Sequence, residues 1–446
     1  MRRHLAIALA GFLATSAAWG AEQPWPTDLD PGLIPAPQLY LPGGPAAGMV
    51  FLFSGAAGWG ANEDGVATRL QHAGAAVVGI DLPSYFSAID SGGSDCVYLV
   101  ADFERLSHEL ERQSGAETFH APLLGGIAEG GALAMDILGQ TPADTLGGVV
   151  AANPAAGQAL ARSLCMKFTR ETASDGGSFY DLPPGAQPAP LTVVLGSDAP
   201  TDSVQRVDAA AASGVTLTRK AATGTGYAAL SDTLASIIAA DNVSGDAPAI
   251  VELPAQPSRD TMAIMVSGDG GWRDIDRTVA GMLQADGVPV VGLDSLRWFW
   301  APRTPEETGR ELGRLIDIYT DRWNTDHVIL AGYSFGASIL PAAFLSIPAE
   351  AQAKVSEIAL LGPGTNADWQ ITVSGWLGST SSQARPVAPD LSALPADRVL
   401  CIYGEKDLQS ACPTLEGSGA KVIKTGGGHH FDGDYPALAR HVLDGS

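Results

Sequence analysis

Gly332-Tyr333-Ser334-Phe335-Gly336 directly follows an apolar run at residues 328–331 and precedes a helical-looking stretch at 337–344. A G-x-S-x-G segment in that setting holds its serine in a sharp strand-to-helix turn. The flanking glycines let backbones approach without Cβ clashes, and the helix N-terminus faces a developing anion. A serine hydroxyl is unreactive without a base and an orienting acid, in the chain order Ser, Asp/Glu, His. Asp407, in Gly404-Glu-Lys-Asp407 just past the apolar run 398–403, is the expected acid, with Glu405 as its rival. Gly426-Gly-Gly-His429-His430-Phe431 supplies the base. Both histidines are candidates, and the spacing after the glycines and two before Phe431 favours His429. Metal binding by His429, His430, Asp432 and Asp434 competes for these residues but leaves the serine turn unexplained, so no metal and no cofactor are expected. An oxyanion hole needs two backbone donors. Phe335 offers one, and Asp269 or Gly270 in Ser267-Gly-Asp-Gly-Gly-Trp272 the other.

These residues must be carried by repeated elements, because the chain is internally duplicated. Ser54-Gly55, Gly58-Trp59, Leu70-Gln71, Gly74 and Gly79-Ile-Asp81 recur at a constant offset of 213 as Ser267-Gly268, Gly271-Trp272, Leu283-Gln284, Gly287 and Gly292-Leu-Asp294. Gly126-Ile-Ala128-Glu-Gly130 parallels the serine segment, and Gly196-Ser-Asp198 parallels the Asp407 turn. Short apolar or β-branched runs alternate with amphipathic stretches such as 304–321 in each half. This predicts buried parallel strands with crossover helices: an α/β fold of two tandem α/β-hydrolase-like domains, each a doubly wound, mostly parallel sheet. The polar, aperiodic stretch 241–248 places the boundary near 246, giving domains at 21–245 and 246–446. The first copy is degenerate. Ala128 stands where Ser334 does, and Thr223-Gly-Thr-Gly226 stands where the paired histidines do. That half cannot run the serine chemistry and is expected to bind, cover or support.

Residues 1–20 read as a secretory signal: Arg2 and Arg3, an apolar run too short to span a bilayer, and a small-x-small site at Ala18-Trp19-Gly20. The expected location is the periplasm, with no transmembrane span after processing. In that oxidising space the four cysteines predict two disulfides, and pairing within each half, Cys96 with Cys165 and Cys401 with Cys412, is the simplest of the three connectivities. With 46% hydrophobic and 17% charged residues the chain is foldable rather than disordered. The net charge of −23, or −25 without Arg2 and Arg3, argues against nucleic acid and against electrostatic adhesion to anionic lipid.

Ser267-Gly-Asp-Gly-Gly-Trp272, Asp294-Ser-Leu-Arg-Trp-Phe-Trp300, Gly332-Tyr-Ser-Phe-Gly336 and Gly427-Gly-His-His-Phe-Asp-Gly-Asp-Tyr435 together resemble the bacterial VirJ/AcvB virulence-protein family. The first half resembles the extra N-terminal domain of the longer, AcvB-type members. Ser338 stands where this family leads one to expect an acid. The resemblance implies a periplasmic hydrolase that cleaves the ester joining an amino acid, typically lysine, to phosphatidylglycerol, so the expected partner is an aminoacylated phospholipid headgroup at the membrane surface. Asp269 and Asp294 suit a cationic aminoacyl group, with solvated loop acids or caps as the alternative. Arg297, Trp298 and Trp300 suit a lipid interface or a phosphate, with buried packing as the alternative. Residues 366–390, with Trp369 and Trp376, read as a cap over the site. Two other functions compete: a non-enzymatic adaptor of a secretion system, and an esterase or lipase acting on another ester. Oligomeric state is open.

Overall fold

The computed structural model describes residues 22–93, 95–174, 176–244, 250–372 and 381–445. The expected signal, the expected boundary near 246 and Trp376 lie outside the described residues.

Runs with no polar face become strands buried on both sides. The first half builds one sheet from β1 (Gln38–Tyr40), β2 (Met49–Phe53), β3 (Ala76–Ile80), β4 (Leu123–Ile127), β5 (Gly148–Ala152), β6 (Leu191–Leu195) and β7 (Thr218–Ala221). Its strand order is β1-β3-β2-β4-β5-β6-β7, with β1 antiparallel and the rest parallel. The second half builds another from β8 (Ile250–Leu253), β9 (Thr261–Val266), β10 (Val290–Leu293), β11 (His327–Tyr333), β12 (Val355–Leu361), β13 (Val399–Gly404) and β14 (Lys421–Thr425). Its order, β8-β10-β9-β11-β12-β13-β14, repeats the same path, again with only the first strand antiparallel. The two halves are tandem α/β domains that share one topology.

The flanking helices repeat as well. In the first half they are α1 (Ala61–His72), α2 (Leu82–Asp90), α3 (Val100–Gln113), α4 (Glu129–Leu138), α5 (Thr201–Ala212) and α6 (Gly226–Ser244). In the second they include α7 (Asp274–Ala285), α8 (Ser295–Trp298), α9 (Pro305–Trp323), α10 (Phe335–Leu345) and α11 (Tyr435–Leu443). Helix α1 packs beside α6, and α7 beside α11 in the same relation. Thr304 and Glu307 form a capping box that starts α9, satisfying two backbone amides that no helical turn can reach.

The spaced Gly-Trp and Gly-x-Asp pairs that betray the duplication have a packing origin. Trp59 lies flat on Gly79, where a Cβ would come within 2.2 Å of the indole, and Trp272 lies on Gly292 at 2.4 Å. Asp81 accepts the Trp59 amide at 2.7 Å and caps α2, and Asp294 caps α8 by accepting the Arg297 amide at 3.2 Å. Ser54 and Ser267 each accept the amide that follows the next strand, at 2.9 Å in both halves. Each motif ties one strand end to its neighbour. The cysteines pair within each half, as Cys96–Cys165 and Cys401–Cys412.

The halves meet along the segment that follows β10. Trp300 is buried between the Arg112 guanidinium, 3.6 Å above its ring, and Phe119, while its indole N–H donates to the Ala116 carbonyl at 2.9 Å. His108 closes the same aromatic cluster against Phe119.

Candidate active site

Ser334 sits between the end of β11 and the start of α10 with φ 52° and ψ −109°, a left-handed conformation that costs a non-glycine residue energy. Two glycines make the turn possible. A Cβ on Gly336 would fall 2.2 Å from the Val266 carbonyl oxygen, and one on Gly332 2.7 Å from the Gly336 backbone. The turn therefore presses against β9 and lifts the hydroxyl into the cavity.

His429 lies across from the serine, with Nε2 2.8 Å from Ser334 Oγ and Nδ1 2.8 Å from Asp407 Oδ2. A carboxylate can only accept, so Nδ1 carries the proton and Nε2 is left to accept from the serine hydroxyl. Asp407 follows β13 in a tight turn closed by its own amide on the Gly404 carbonyl at 3.0 Å. Gly404 is required because a Cβ there would lie 2.3 Å from the Gly428 carbonyl oxygen, so only glycine lets the histidine loop come this close. Gly427, at φ 85°, turns that loop inward. His429 is steadied by the rings of Tyr333 and His430, with centroids at 5.6 and 5.7 Å.

His430 takes a different position. Its Nδ1 is 2.9 Å from the Tyr333 hydroxyl, away from the serine, so the structure brings His429 and not His430 to Ser334. Asp434 caps α11 by accepting the Ala437 amide at 3.2 Å. Three of the four residues of the metal alternative, His429, His430 and Asp434, thus have another partner, and Asp432 lies in the turn between His430 and α11.

The cavity above Ser334 measures about 310 Å³ and is walled by Asp269, Phe335, Ser338, Asn366, Asp368, Gln370, Ile371, Asp407, Gln409 and His429, among others. Among the described residues its wall holds three carboxylates and neither lysine nor arginine. Burial pushes the Asp269 carboxyl up, against the positive charge of Arg273. Asp269 walls this cavity, and Phe335 places the first amide of α10 beside the serine. Gly270 itself belongs to a second cavity, between the halves.

The segment 294–300 is where the sequence reading needs correction. Asp294, Arg297, Trp298 and Trp300 do not line the cavity at Ser334. Asp294 is a helix cap whose carboxyl is raised by burial, against the Arg297 charge. It shares the cavity between the halves with Arg297. Arg303 stacks 4.4 Å over Trp298, and Trp300 is buried beneath the first half. A run of aromatic residues reveals that a surface is apolar but not what covers it: the first half covers Trp300, while Trp298 and Phe299 pack within the second half.

Sequence reasoning missed several wall residues. Asn366, Asp368 and Gln370 lie in the segment read as a cap, where the tryptophans drew attention instead. That segment begins as Asn366–Ala367, paired antiparallel with Arg385–Pro386. Trp369 packs on Phe299. Ser338, the departure from the family pattern, donates to the Ser334 carbonyl at 2.8 Å and accepts the Gly364 amide at 2.8 Å, tying the serine turn to the loop after β12.

The corresponding place in the first half keeps the backbone and lacks the chemistry. Ala128 has φ 49° and ψ −116°, and a Cβ on Gly130 would lie 2.2 Å from the Ser54 carbonyl oxygen. Asn153 replaces Gly362, and its amide donates to Asp198 at 2.9 Å, taking the part of the missing histidine. Asp198 also accepts the Gly226 amide at 2.8 Å. Burial raises its carboxyl slightly, but these hydrogen bonds outweigh that and hold it below the usual range.

Residues 260–446 match the family model of VirJ, described as a bacterial virulence protein. No curated protein matches the chain. Solved structures to which it is similar include the HSL homologue EstE7 from a metagenome library, 16% identical over 51% of this chain and 88% of that one, with a TM-score of 0.33. A second is an alpha-beta serine hydrolase homologue from Coxiella burnetii, 17% identical over 44% of this chain and 88% of that one, TM-score 0.30. A third is Est1E from Butyrivibrio proteoclasticus, 14% identical over 46% of this chain and 94% of that one, TM-score 0.29. Over those residues the second half of the chain is similar to the VirJ family.

Proposed function

We propose that the second half is a serine hydrolase acting in the periplasm on the aminoacyl ester of an aminoacylated phosphatidylglycerol. The observation that carries the hydrolase reading is the continuous relay from Asp407 through His429 to Ser334, at 2.8 Å for each link, on a strained turn at a helix N-terminus. In this reading Ser334 Oγ attacks the ester carbonyl carbon while His429 Nε2 takes its proton. The amide of Phe335 stabilises the resulting oxyanion. Collapse breaks the bond to the glycerol oxygen, which leaves with the proton from His429. Water then attacks the acyl-serine, His429 again takes and returns a proton, and the free amino acid departs with Ser334 restored.

The aminoacyl substrate is what the resemblance in sequence implies, and the carboxylates of Asp269 and Asp368 around the serine suit an ammonium group next to the scissile bond. The periplasmic assignment is supported by two disulfides, which persist in oxidising compartments. The decisive experiment incubates the protein with lysyl-phosphatidylglycerol and with plain phosphatidylglycerol in mixed micelles. Released lysine, absent with Ser334→Ala, is the expected result. Fatty acid released from both lipids, without lysine, would make it a phospholipase and sink the aminoacyl reading.

A further inference from the structure

Arg112, at the end of α3, reaches out of the first half into the second. Its Nη1 donates to the Trp300 carbonyl at 2.6 Å and its Nη2 to the Ile371 carbonyl, while the guanidinium lies 3.6 Å over the Trp300 ring. Two carbonyls far apart in the chain are thus bridged by one planar fork, a geometry that lysine cannot reproduce. One of them belongs to Ile371, a wall residue of the cavity at Ser334. From there the contacts run inward. The Ile371 amide donates to the Phe299 carbonyl at 2.9 Å, and Phe299 packs edge-on against Phe335, the residue after the serine, and against Trp369. A second contact joins the same helix to the loop that carries Asp269. Glu104, two turns earlier in α3, pairs with Arg273 at 2.6 Å, and Arg273 covers Gly270 in the loop that carries Asp269.

We propose that the degenerate first half is a template for the site in the second, and that Arg112 is its positioning residue, fixing the cavity wall at 369–372 by bridging Trp300 to Ile371. The inference rests on the serine-hydrolase reading. It gives the first half a defined role, in which the wall that meets the bulk of the substrate is held from outside the domain that performs the chemistry. A substrate too small to reach that wall does not depend on it.

The test compares Arg112→Met, which keeps the packing over Trp300 but loses both donors, with the unaltered full-length chain. Labelling of Ser334 by a fluorophosphonate, absent in Ser334→Ala, checks the underlying reading separately. If the unaltered chain is not labelled, it is the hydrolase reading that fails, and the exchange measurement below still decides the positioning claim. For Arg112→Met, deuterium exchange at 369–372 should rise about tenfold. KM for 4-nitrophenyl hexanoate should rise about fivefold or more with kcat little changed, and kcat/KM for 4-nitrophenyl acetate should stay within about twofold. Arg112→Lys, which keeps the charge, should behave like Arg112→Met and serves in its place if that variant does not fold. Unchanged exchange overturns the proposal. So does increased exchange with an unchanged KM for the longer ester, or an equal loss on both esters, because the contact would then be only structural or would act on the serine itself.

Discussion

Ala128 and Ser334 occupy the same turn with backbone angles that differ by only a few degrees, yet only one of them carries a hydroxyl. Strain of this kind is often attributed to catalysis. Here it persists in the half whose turn carries neither a serine nor a facing histidine, so packing must hold it: glycines at 126 and 130 press the turn against its neighbours as those at 332 and 336 do. The acid is also common to both halves. In the second, Asp407 orients His429. In the first, Asp198 is satisfied by Asn153 and the Gly226 amide. The fold supplies the turn and the acid, and the presence of the serine and histidine separates a reactive site from a scaffold.

The largest effect should come from exchanging the two turn residues. Ser334→Ala should lower ester turnover on the order of 10⁴-fold, measured by released product, with the melting temperature within about 2 °C. Ala128→Ser should add no turnover to that variant, because nothing at that site accepts the serine proton. Appreciable activity in the double variant would break the comparison.

The relay comes next. Asp407→Asn and His429→Ala should each lower kcat by roughly 10³- to 10⁴-fold, whereas His430→Ala should lower it by less than about tenfold. A reversed ranking of the histidines would move the base to the Tyr333 side.

Stability against pH should also separate the halves. Buried Glu357 in β12, aligned with Gly148 in β5, has its carboxyl pushed up to about 8 by burial, against the Lys421 charge. A carboxyl raised above its unfolded value contributes stability that is full below the unfolded pKa near 4.5 and is lost as pH rises towards 8. Glu357→Gln should therefore stabilise the second half by a margin that widens from pH 5 to 8, reaching on the order of 2 kcal/mol in denaturant titrations. A margin that does not change with pH would show that the carboxyl is not the titrating group.

The smallest effect is expected at Asp198. Its exposure limits the loss on Asp198→Ala to about 1 kcal/mol, with ester turnover unchanged. A fall in turnover would mean that the first half shares in the chemistry.

Much of this was legible in the sequence because strand ends carry their own signatures. The Gly-Trp and Gly-x-Asp pairs mark a tryptophan lying on a glycine and an aspartate capping a helix, and both contacts are close to their residues in the chain. The serine turn and the Asp407 loop could be read for the same reason. The fate of 294–300 could not, because burial of Trp300 depends on Arg112 and Phe119, which lie almost two hundred residues away. Of the three wall carboxylates, Asp269 and Asp407 were legible and Asp368 was not: it is one aspartate among many until β12 and the serine turn bring it to the cavity.

The Asn153–Asp198 bond bears on the history of the first half. Regaining a relay there takes a serine at 128, a histidine in the loop 223–226, and removal of the asparagine that now occupies the carboxylate. None of the three confers turnover alone, and losing Asn153 first strips Asp198 of a partner. The way back runs through chains that gain no turnover and give up a bond that Asp198 now makes, so the loss behaves as a ratchet.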